Sequence, residues 1–374
     1  MIDPKDAKYL DFDGTLPLER ARTIPSDWYH SAEIATLERN RVFGNSWQWV
    51  GRVDQVARPG MFVTAEVAGE PVAVVRDEAG TLRAFHNVCR HRAARVLELE
   101  CGIASRLRCR YHGWTYDLSG RLRGIPEFDG VLEFERSDHG LVPLQVDTWG
   151  PWVFVHFAPS PPALGDFLAP LPSRSGGLGM ETLRFVERRE YLLACNWKVF
   201  VDNYLDGGYH VNTVHPALAG VLDYAQYRTE IEGNTSVQIS PLRPPDPEKE
   251  DASAAAVRQG TDAHYWWVFP NLMINVYAGI MDTNLVLPLG PDRCRVLFDF
   301  YFADSEGEAA NAAIRASIDV AEQIQAEDIA ICEEVQKGLA SRSYRVGRFS
   351  VRREAGGYHF HRLLAAYLAA GESR

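Results

Sequence analysis

Residues 89–112 read CRHRAARVLELECGIASRLRCRYH, and this segment constrains the whole chain more than any other. Cys89-x-His91 is followed, after seventeen intervening residues, by Cys109-x2-His112. Two cysteines and two histidines at these offsets make one closed metal site if the two short loops converge. Structural zinc is the plainest reading, yet zinc fingers usually draw both cysteines from one loop and both histidines from the other. Here each loop contributes one of each. Such mixed donation suits a cluster of two unlike irons, one bound by thiolates and the other by imidazoles. Six cysteines in 374 residues are too few for a disulfide scaffold, and clustered Cys with His nearby points to metal chemistry in a reducing compartment. His86 and Cys101 have no partner at ligand spacing; they read as a structural histidine and an ordinary small side chain.

A Rieske [2Fe–2S] centre divides its ligands in this way. CRHRAA followed by CRYHGWTYDLSGRL resembles the Rieske domain of the Rieske non-haem iron oxygenases, terminal oxygenase subunits that activate O2.

Composition and pattern set the frame around this segment. A net charge of -11, from 39 basic and 50 acidic side chains, disfavours binding to nucleic acid or anionic lipid. The amino terminus has no apolar signal core and no run of eighteen uncharged apolar residues occurs, so no membrane span is expected and the chain reads as cytoplasmic. At 46% hydrophobic residues it is long enough for two domains. Pro25-Ser26-Asp27 followed by Ile34, Leu37 and Val42 predicts a leading helix over 25–43. From Gly51 onward, Val, Phe and Thr runs cut by Gly and Pro predict short strands and tight turns. The Pro-rich, non-periodic stretch 159–172 marks a boundary. Beyond it, strands at 183–195 and 264–303 alternate with helical patterns near 196–220 and 307–340, an α+β arrangement. Residues 241–260, rich in Pro, acid and Ala, predict a mobile surface loop.

A second constellation lies in NWKVFVDNYLDGGYHVNTVHP, residues 196–216. Read as a helix, it places Asp206 and His210 at i and i+4 on one face with Asn203 adjacent, and His215 beyond a bend that Pro216 closes. Far downstream, Ile314, Ile318, Ala321, Ile324, Asp328, Ile331, Val335 and Leu339 follow gaps of three and four, with Asp328 the sole charge in the stripe. A carboxylate buried on an apolar face needs a cation, a metal or a proton. Arg342 or Arg345 is one candidate partner. His210, His215 and Asp328 together would instead form a two-His-one-carboxylate triad able to hold Fe(II) with positions left open.

The resemblance covers nearly the whole chain in the family's order, and within it DNYLDGGYH and GGYHFHRLL resemble the choline monooxygenase branch. It implies a helical segment over 1–44 packing on the catalytic domain. A small all-β Rieske domain would follow at 45–158, then an α+β catalytic domain at 159–374 with an antiparallel sheet and flanking helices of the helix-grip type. It further implies Cys89, His91, Cys109 and His112 as cluster ligands and His210, His215 and Asp328 as ligands of a mononuclear Fe(II). Asn203 would be a polar neighbour of that iron. The family's bridging carboxylate usually stands three residues before the first histidine, where this chain has Gly207, so the bridge falls to Asp206, linking His210 to His112 of another subunit in a head-to-tail homotrimer.

The chain carries no Gly-rich dinucleotide fingerprint and no ferredoxin-type Cys set, so a separate NAD(P)H-dependent flavin reductase, with or without a ferredoxin, would supply electrons. The expected reaction is O2-dependent hydroxylation, or oxidative dealkylation, of a small molecule such as a quaternary ammonium compound. Tyr265, Trp266, Trp267, Phe269 and Tyr277 are candidates for an aromatic cage, with at most one of Trp266 and Trp267 facing the pocket. His359 and His361 read as structural or pocket-lining residues. Competing readings are an aromatic-ring hydroxylating dioxygenase, a Rieske electron carrier without a second metal, and a zinc-stabilised binding protein.

Overall fold

The computed structural model describes residues 11–243 and 257–370, so most of the 241–260 segment, expected to be a loop, lies outside the described residues. The chain divides at Val42/Phe43 and at Gly165/Asp166. The boundaries expected from the sequence fall after residues 44 and 158.

The smaller unit, residues 43–165, is built of strands. It comprises β1 (Gln48–Arg52), β2 (Met61–Val67), β3 (Glu70–Arg76), β4 (Leu82–His86), β5 (Cys101–Ile103), β6 (Leu107–Arg108), β7 (Thr115–Tyr116), β8 (Leu122–Gly124), β9 (Pro143–Trp149) and β10 (Trp152–His156). Seven of them form an antiparallel sheet in the order β1-β10-β9-β4-β3-β2-β5, and β6, β7 and β8 form a second, three-stranded sheet. Two of its turns share one design. Asp77 accepts the amides of Ala79 and Thr81 and the Nε of Arg83, and Asp117 does the same for Ser119, Arg121 and Arg123. Burial works against ionisation of both carboxyls, but the hydrogen bonds outweigh it and hold both below their usual range. Trp114, Tyr116, Phe62 and Phe85 share a core with Cys89 and Cys109.

In the larger unit seven strands pair antiparallel: β11 (Arg184–Leu193), β12 (Arg228–Glu232), β13 (Thr235–Pro241), β14 (Asp262–Val268), β15 (Leu272–Tyr277), β16 (Ile280–Gly290) and β17 (Arg293–Phe302). Their order is β11-β17-β16-β15-β14-β13-β12. Register places Gln238, Tyr265, Asn275 and Asp282 opposite one another across four strands, so they share one face of the sheet. Three helices contact this sheet: Trp197–Tyr204, the long Glu308–Leu339 and the C-terminal Ala355–Ala369.

The expected leading helix is broken into pieces: a 3-10 turn at Ser26–Tyr29, an α-helix at Ala32–Leu37, a π-helical turn at Glu38–Val42 and a 3-10 turn at Phe43–Asn45. Ser31 restarts the helix by accepting the amide of Ile34. The wider turn begins at Glu38, whose carboxylate takes the Nζ of Lys198 at 2.6 Å and the Nε1 of Trp197 at 2.8 Å. All three side chains are buried, which pins the start of the Trp197–Tyr204 helix. Burial pushes the Lys198 pKa down, against the opposing pull of Glu38.

The long helix also departs from its expected stripe. Ile331 and Val335 are exposed, whereas Gln325, Cys332 and Gln336 are buried. The gaps of three and four are unevenly placed: at about 100° per residue Ile331 and Val335 fall roughly 100° and 60° off the line through Ile314, whereas Cys332 falls on it and Leu339, also buried, lies close to it.

Candidate active site

In the smaller unit the two Cys/His loops are built alike. The amide of Cys89 donates to Ala94 O and the amide of Ala93 to Cys89 O; likewise Cys109 donates to Trp114 O and Gly113 to Cys109 O. Each loop turns through a left-handed residue, Ala93 at φ 59° and Gly113 at φ 76°. Both thiols are buried, while the rings of His91 and His112 meet edge to face at 4.6 Å and His112 stands at the surface. Trp114 stacks flat on His91 at 4.9 Å, and the Tyr116 hydroxyl lies 3.4 Å from the Cys89 sulfur. Burial, reinforced by Cys89, pushes the Cys109 thiol up; burial, with His112 and Arg92, pushes His91 down towards neutral imidazole. His91 Nδ1 is buried with no partner among the described residues.

In the larger unit His210, His215 and Asp328 bring one ligand atom each to within 4.8 Å of one another. His215 Nε2 lies 3.1 Å and His210 Nε2 3.8 Å from Asp328 Oδ1. Each outer ring nitrogen meets a carboxylate: His210 Nδ1 contacts Asp206 at 2.5 Å and His215 Nδ1 contacts Glu327 at 2.7 Å. Donation from Nδ1–H fixes the tautomer that leaves Nε2 free to bind a metal. Asn203 Nδ2 donates to Asp328 Oδ1 at 2.7 Å. Burial lowers the pKa of His215, but hydrogen bonds and charge from Asp328 and Glu327 outweigh it, and the net shift is upward.

Asp206 reaches His210 without the helix that its spacing suggested. The helix ends at Tyr204, and Gly207 and Gly208 take φ of 70° and 72°. A Cβ at Gly207 would collide with the Arg353 carbonyl, and one at Gly208 would press on the Tyr227 ring. The turn lets Asp206 accept the amides of Tyr209 and His210 as well as the imidazole. Asp328 pairs with neither candidate arginine; the Arg345 guanidinium is engaged by Asp11.

These three ligand residues open onto a cavity of about 100 Å³, walled by Tyr204, Tyr227, Tyr265 and Tyr277 and floored by the polar row from β13 to β16. One water needs roughly 10–15 Å³ by this measure, so the space is that of a small organic molecule.

Two family models match the chain: the Rieske [2Fe–2S] domain over residues 46–135, and the ring hydroxylating alpha subunit catalytic domain over 180–370. The chain belongs to the Rieske non-haem iron oxygenases.

This oxygenase is 41% identical to the chloroplastic choline monooxygenase of Arabidopsis thaliana over 371 residues, which is 95% of this chain and 85% of the relative. It is 30% identical to the carnitine monooxygenase oxygenase subunit of Escherichia coli K12, covering 93% of this chain and 94% of that subunit. A solved quaternary ammonium Rieske monooxygenase, described for carnitine oxidation and inter-subunit electron transfer, superposes with a TM-score of 0.84 at 27% identity, covering 96% and 98% of the two chains. The oxygenase therefore has a Rieske [2Fe–2S] domain and a mononuclear-iron catalytic domain. Both donor sets fit those groups: one offers two buried thiols, two neighbouring imidazoles and a buried His91 Nδ1 with no partner among the described residues, and in the other two oriented imidazoles face a carboxylate.

Several expectations need correction. Trp266, Trp267 and Phe269 stand outside the cavity: the Arg174 guanidinium covers Trp266, and Trp267 packs on Phe269 and on Phe360 of the C-terminal helix. Only Tyr265 and Tyr277 of the proposed cage line it, joined by Tyr204 and Tyr227, which the sequence pattern does not single out. His361 bonds Asp202 at 2.8 Å, and His359 bonds the Gly233 carbonyl. Glu327 was also missed. Its one signal was an acid beside Asp328, since a ligating histidine commonly needs an outer carboxylate. No described helix is long and apolar enough to cross a membrane.

Proposed function

We propose that this oxygenase hydroxylates a quaternary ammonium compound at a C–H bond beside the nitrogen. In such a reaction the C–H substrate, O2, two electrons and two protons give the C–OH product and one water. The observation that carries this reading is a tyrosine-walled cavity onto which His210, His215 and Asp328 open; an electron carrier has no use for it. The relatives' substrates choose among small molecules, and aromatic faces suit an ammonium group.

Cys89, Cys109, His91 and His112 would hold the cluster, and His210, His215 and Asp328 the iron. When bound, these groups supply single electrons and a centre that activates O2. The remaining roles belong to side chains around them. Asp206 and Glu327 fix the two imidazoles, and Asn203 steadies the ligating oxygen of Asp328. The tyrosines exclude water from the substrate. Asp206 is assigned to the junction between subunits of a homotrimer, its carboxylate on His210 of one chain and facing His112 of a neighbour. Electrons come from a separate NAD(P)H-dependent flavin reductase, with or without a ferredoxin. The six unbridged cysteines suit a reducing compartment such as the cytoplasm.

The test is turnover with a surrogate reductase, following O2 uptake and product for choline, trimethylammonium carboxylates and aromatic acids. Hydroxylated or dealkylated amine products support the proposal. Conversion of the aromatic acids alone would overturn it in favour of ring hydroxylation.

A further inference from the structure

The aromatic wall of the cavity already holds a cation. Arg258 is buried, lines the same cavity as the iron ligands, and sets its guanidinium 4.7 Å over the Tyr277 ring. Its side chain hydrogen-bonds Tyr277, but its Nε has no hydrogen-bond partner among the described residues. Burying a charged group with a donor unused is costly unless something completes it. Among the described residues the carboxylate that attracts it is Asp282, which lines the same cavity and whose Oδ2 already accepts the side-chain amides of Asn275 at 2.6 Å and Asn284 at 3.3 Å. Charge from Tyr277, Asp282 and Tyr265 and a hydrogen bond to Tyr277 outweigh the cost of burying the guanidinium and keep it charged, which leaves the Nε–H as the donor still to be met. On the helix side of the cavity Gln325, one turn before Asp328, is also buried, and neither atom of its amide is bonded among the described residues.

From this we infer that the substrate is a zwitterion, and that Arg258 binds its carboxylate through the unused Nε–H and the charge beside it. This rests on the quaternary-ammonium reading and narrows it. A plain cation such as choline, entering this cavity, meets a like charge already seated on Tyr277 and leaves the Nε–H unsatisfied. A trimethylammonium carboxylate carries no net charge, satisfies that donor, and keeps its ammonium for the other tyrosine faces. Arg258 is thus a specificity residue, selecting between the two kinds of substrate named for the relatives.

Choline and glycine betaine form a clean pair of probes, sharing a trimethylammonium group and differing in hydroxymethyl against carboxylate; carnitine adds a longer carboxylated member. Equilibrium binding to the metal-loaded, full-length oxygenase under anaerobic conditions, followed by calorimetry, reads recognition without turnover. At least one carboxylated probe is expected to bind more tightly than choline by roughly 30-fold or more, the range for a buried charge-paired hydrogen bond. Arg258→Gln should remove that advantage while leaving choline binding unchanged or improved, and Arg258→Lys should restore part of it. Iron and cluster content of each variant monitor folding, and the wild-type comparison stands without them. Choline binding as tightly as both carboxylates, or an unchanged carboxylate affinity in folded Arg258→Gln, overturns the inference. Turnover of choline with the carboxylates idle also overturns it but leaves the quaternary-ammonium function intact; no turnover of any trimethylammonium compound removes that function as well.

Discussion

Replacing Asp206 by asparagine separates holding iron from delivering electrons to it. In the wild type Asp206 Oδ2 accepts both the Nδ1 of His210 at 2.5 Å and its amide at 2.9 Å, and Oδ1 accepts the Tyr209 amide at 3.0 Å. Asparagine keeps one acceptor of the two and loses the charge. A hydrogen bond to a charged group contributes about 1.5–3 kcal/mol and a neutral one about 0.5–1.5 kcal/mol, so the exchange costs about 1–2 kcal/mol at the imidazole. That corresponds to iron binding weakened about 5- to 30-fold, in line with the 10–100-fold typical of changes around ligating histidines. Excess Fe(II) restores occupancy. The proposed trimer is expected to persist as well, because the substitution barely changes volume. Electron delivery is expected to fail nonetheless, since no carboxylate is left to align His210 with a neighbour's His112. The assay is single turnover: the reduced, iron-replete variant is mixed with O2 and substrate while the visible band of the cluster is followed. Slow cluster reoxidation with little product is expected. Reoxidation at the wild-type rate would refute the bridge and turn attention to Asp202 or Asn203. Iron that no excess restores would make Asp206 a ligand itself.

Three further outcomes are expected. Glu327→Gln removes the carboxylate on His215 Nδ1 and should weaken Fe(II) binding about 10–100-fold in metal titrations while the Rieske spectrum stays unchanged; unaltered affinity would show that Glu327 does not orient the ring. His91→Ala or His112→Ala should abolish the Rieske spectrum and leave Fe(II) binding at His210, His215 and Asp328 intact, because the two sites are built from different units; a persisting spectrum contradicts the ligand assignment. The turn carboxyls Asp77 and Asp117 have pKa values lowered by folding, so their stabilisation is complete above the unfolded-state value of about 3.9 and is lost as pH falls through the folded-state values. Asp77→Asn should cost about 1 kcal/mol at neutral pH and flatten the acid side of the stability profile; an unchanged profile would rule the turn out as a source of acid sensitivity.

The cluster loops were legible because their ligands lie two and three residues apart, too close for the rest of the fold to separate. The iron site was legible less directly. Asp206 was found through a helical spacing, although the helix stops at Tyr204 and two left-handed glycines make the contact instead. Periodicity located Asp328 but misplaced its neighbours Ile331 and Val335, since gaps of three and four can follow one another so that single letters fall well to the side of the stripe even where its end, Leu339, is buried as expected. The cavity was the least legible part. Trp266 and Trp267 drew attention by size, yet a tryptophan finds its place by packing against whatever covers its face of the sheet, here Arg174 and the C-terminal helix. Arg258 stands beside a low-complexity segment that gives no hint of burial, and Tyr204 and Tyr227 reach the wall from a helix and a turn far apart in sequence.

The presence of two different iron centres in one chain is tested most directly by composition together with spectroscopy. Metal and acid-labile sulfide analysis of the purified full-length protein, paired with electron paramagnetic resonance after reduction, should give about three irons and two sulfides per chain with a Rieske signal. Cys89→Ser should remove that signal and the sulfide while one iron remains. Zinc in place of iron, a colourless protein, or two irons and two sulfides with none bound at His210, His215 and Asp328 would contradict a two-centre oxygenase.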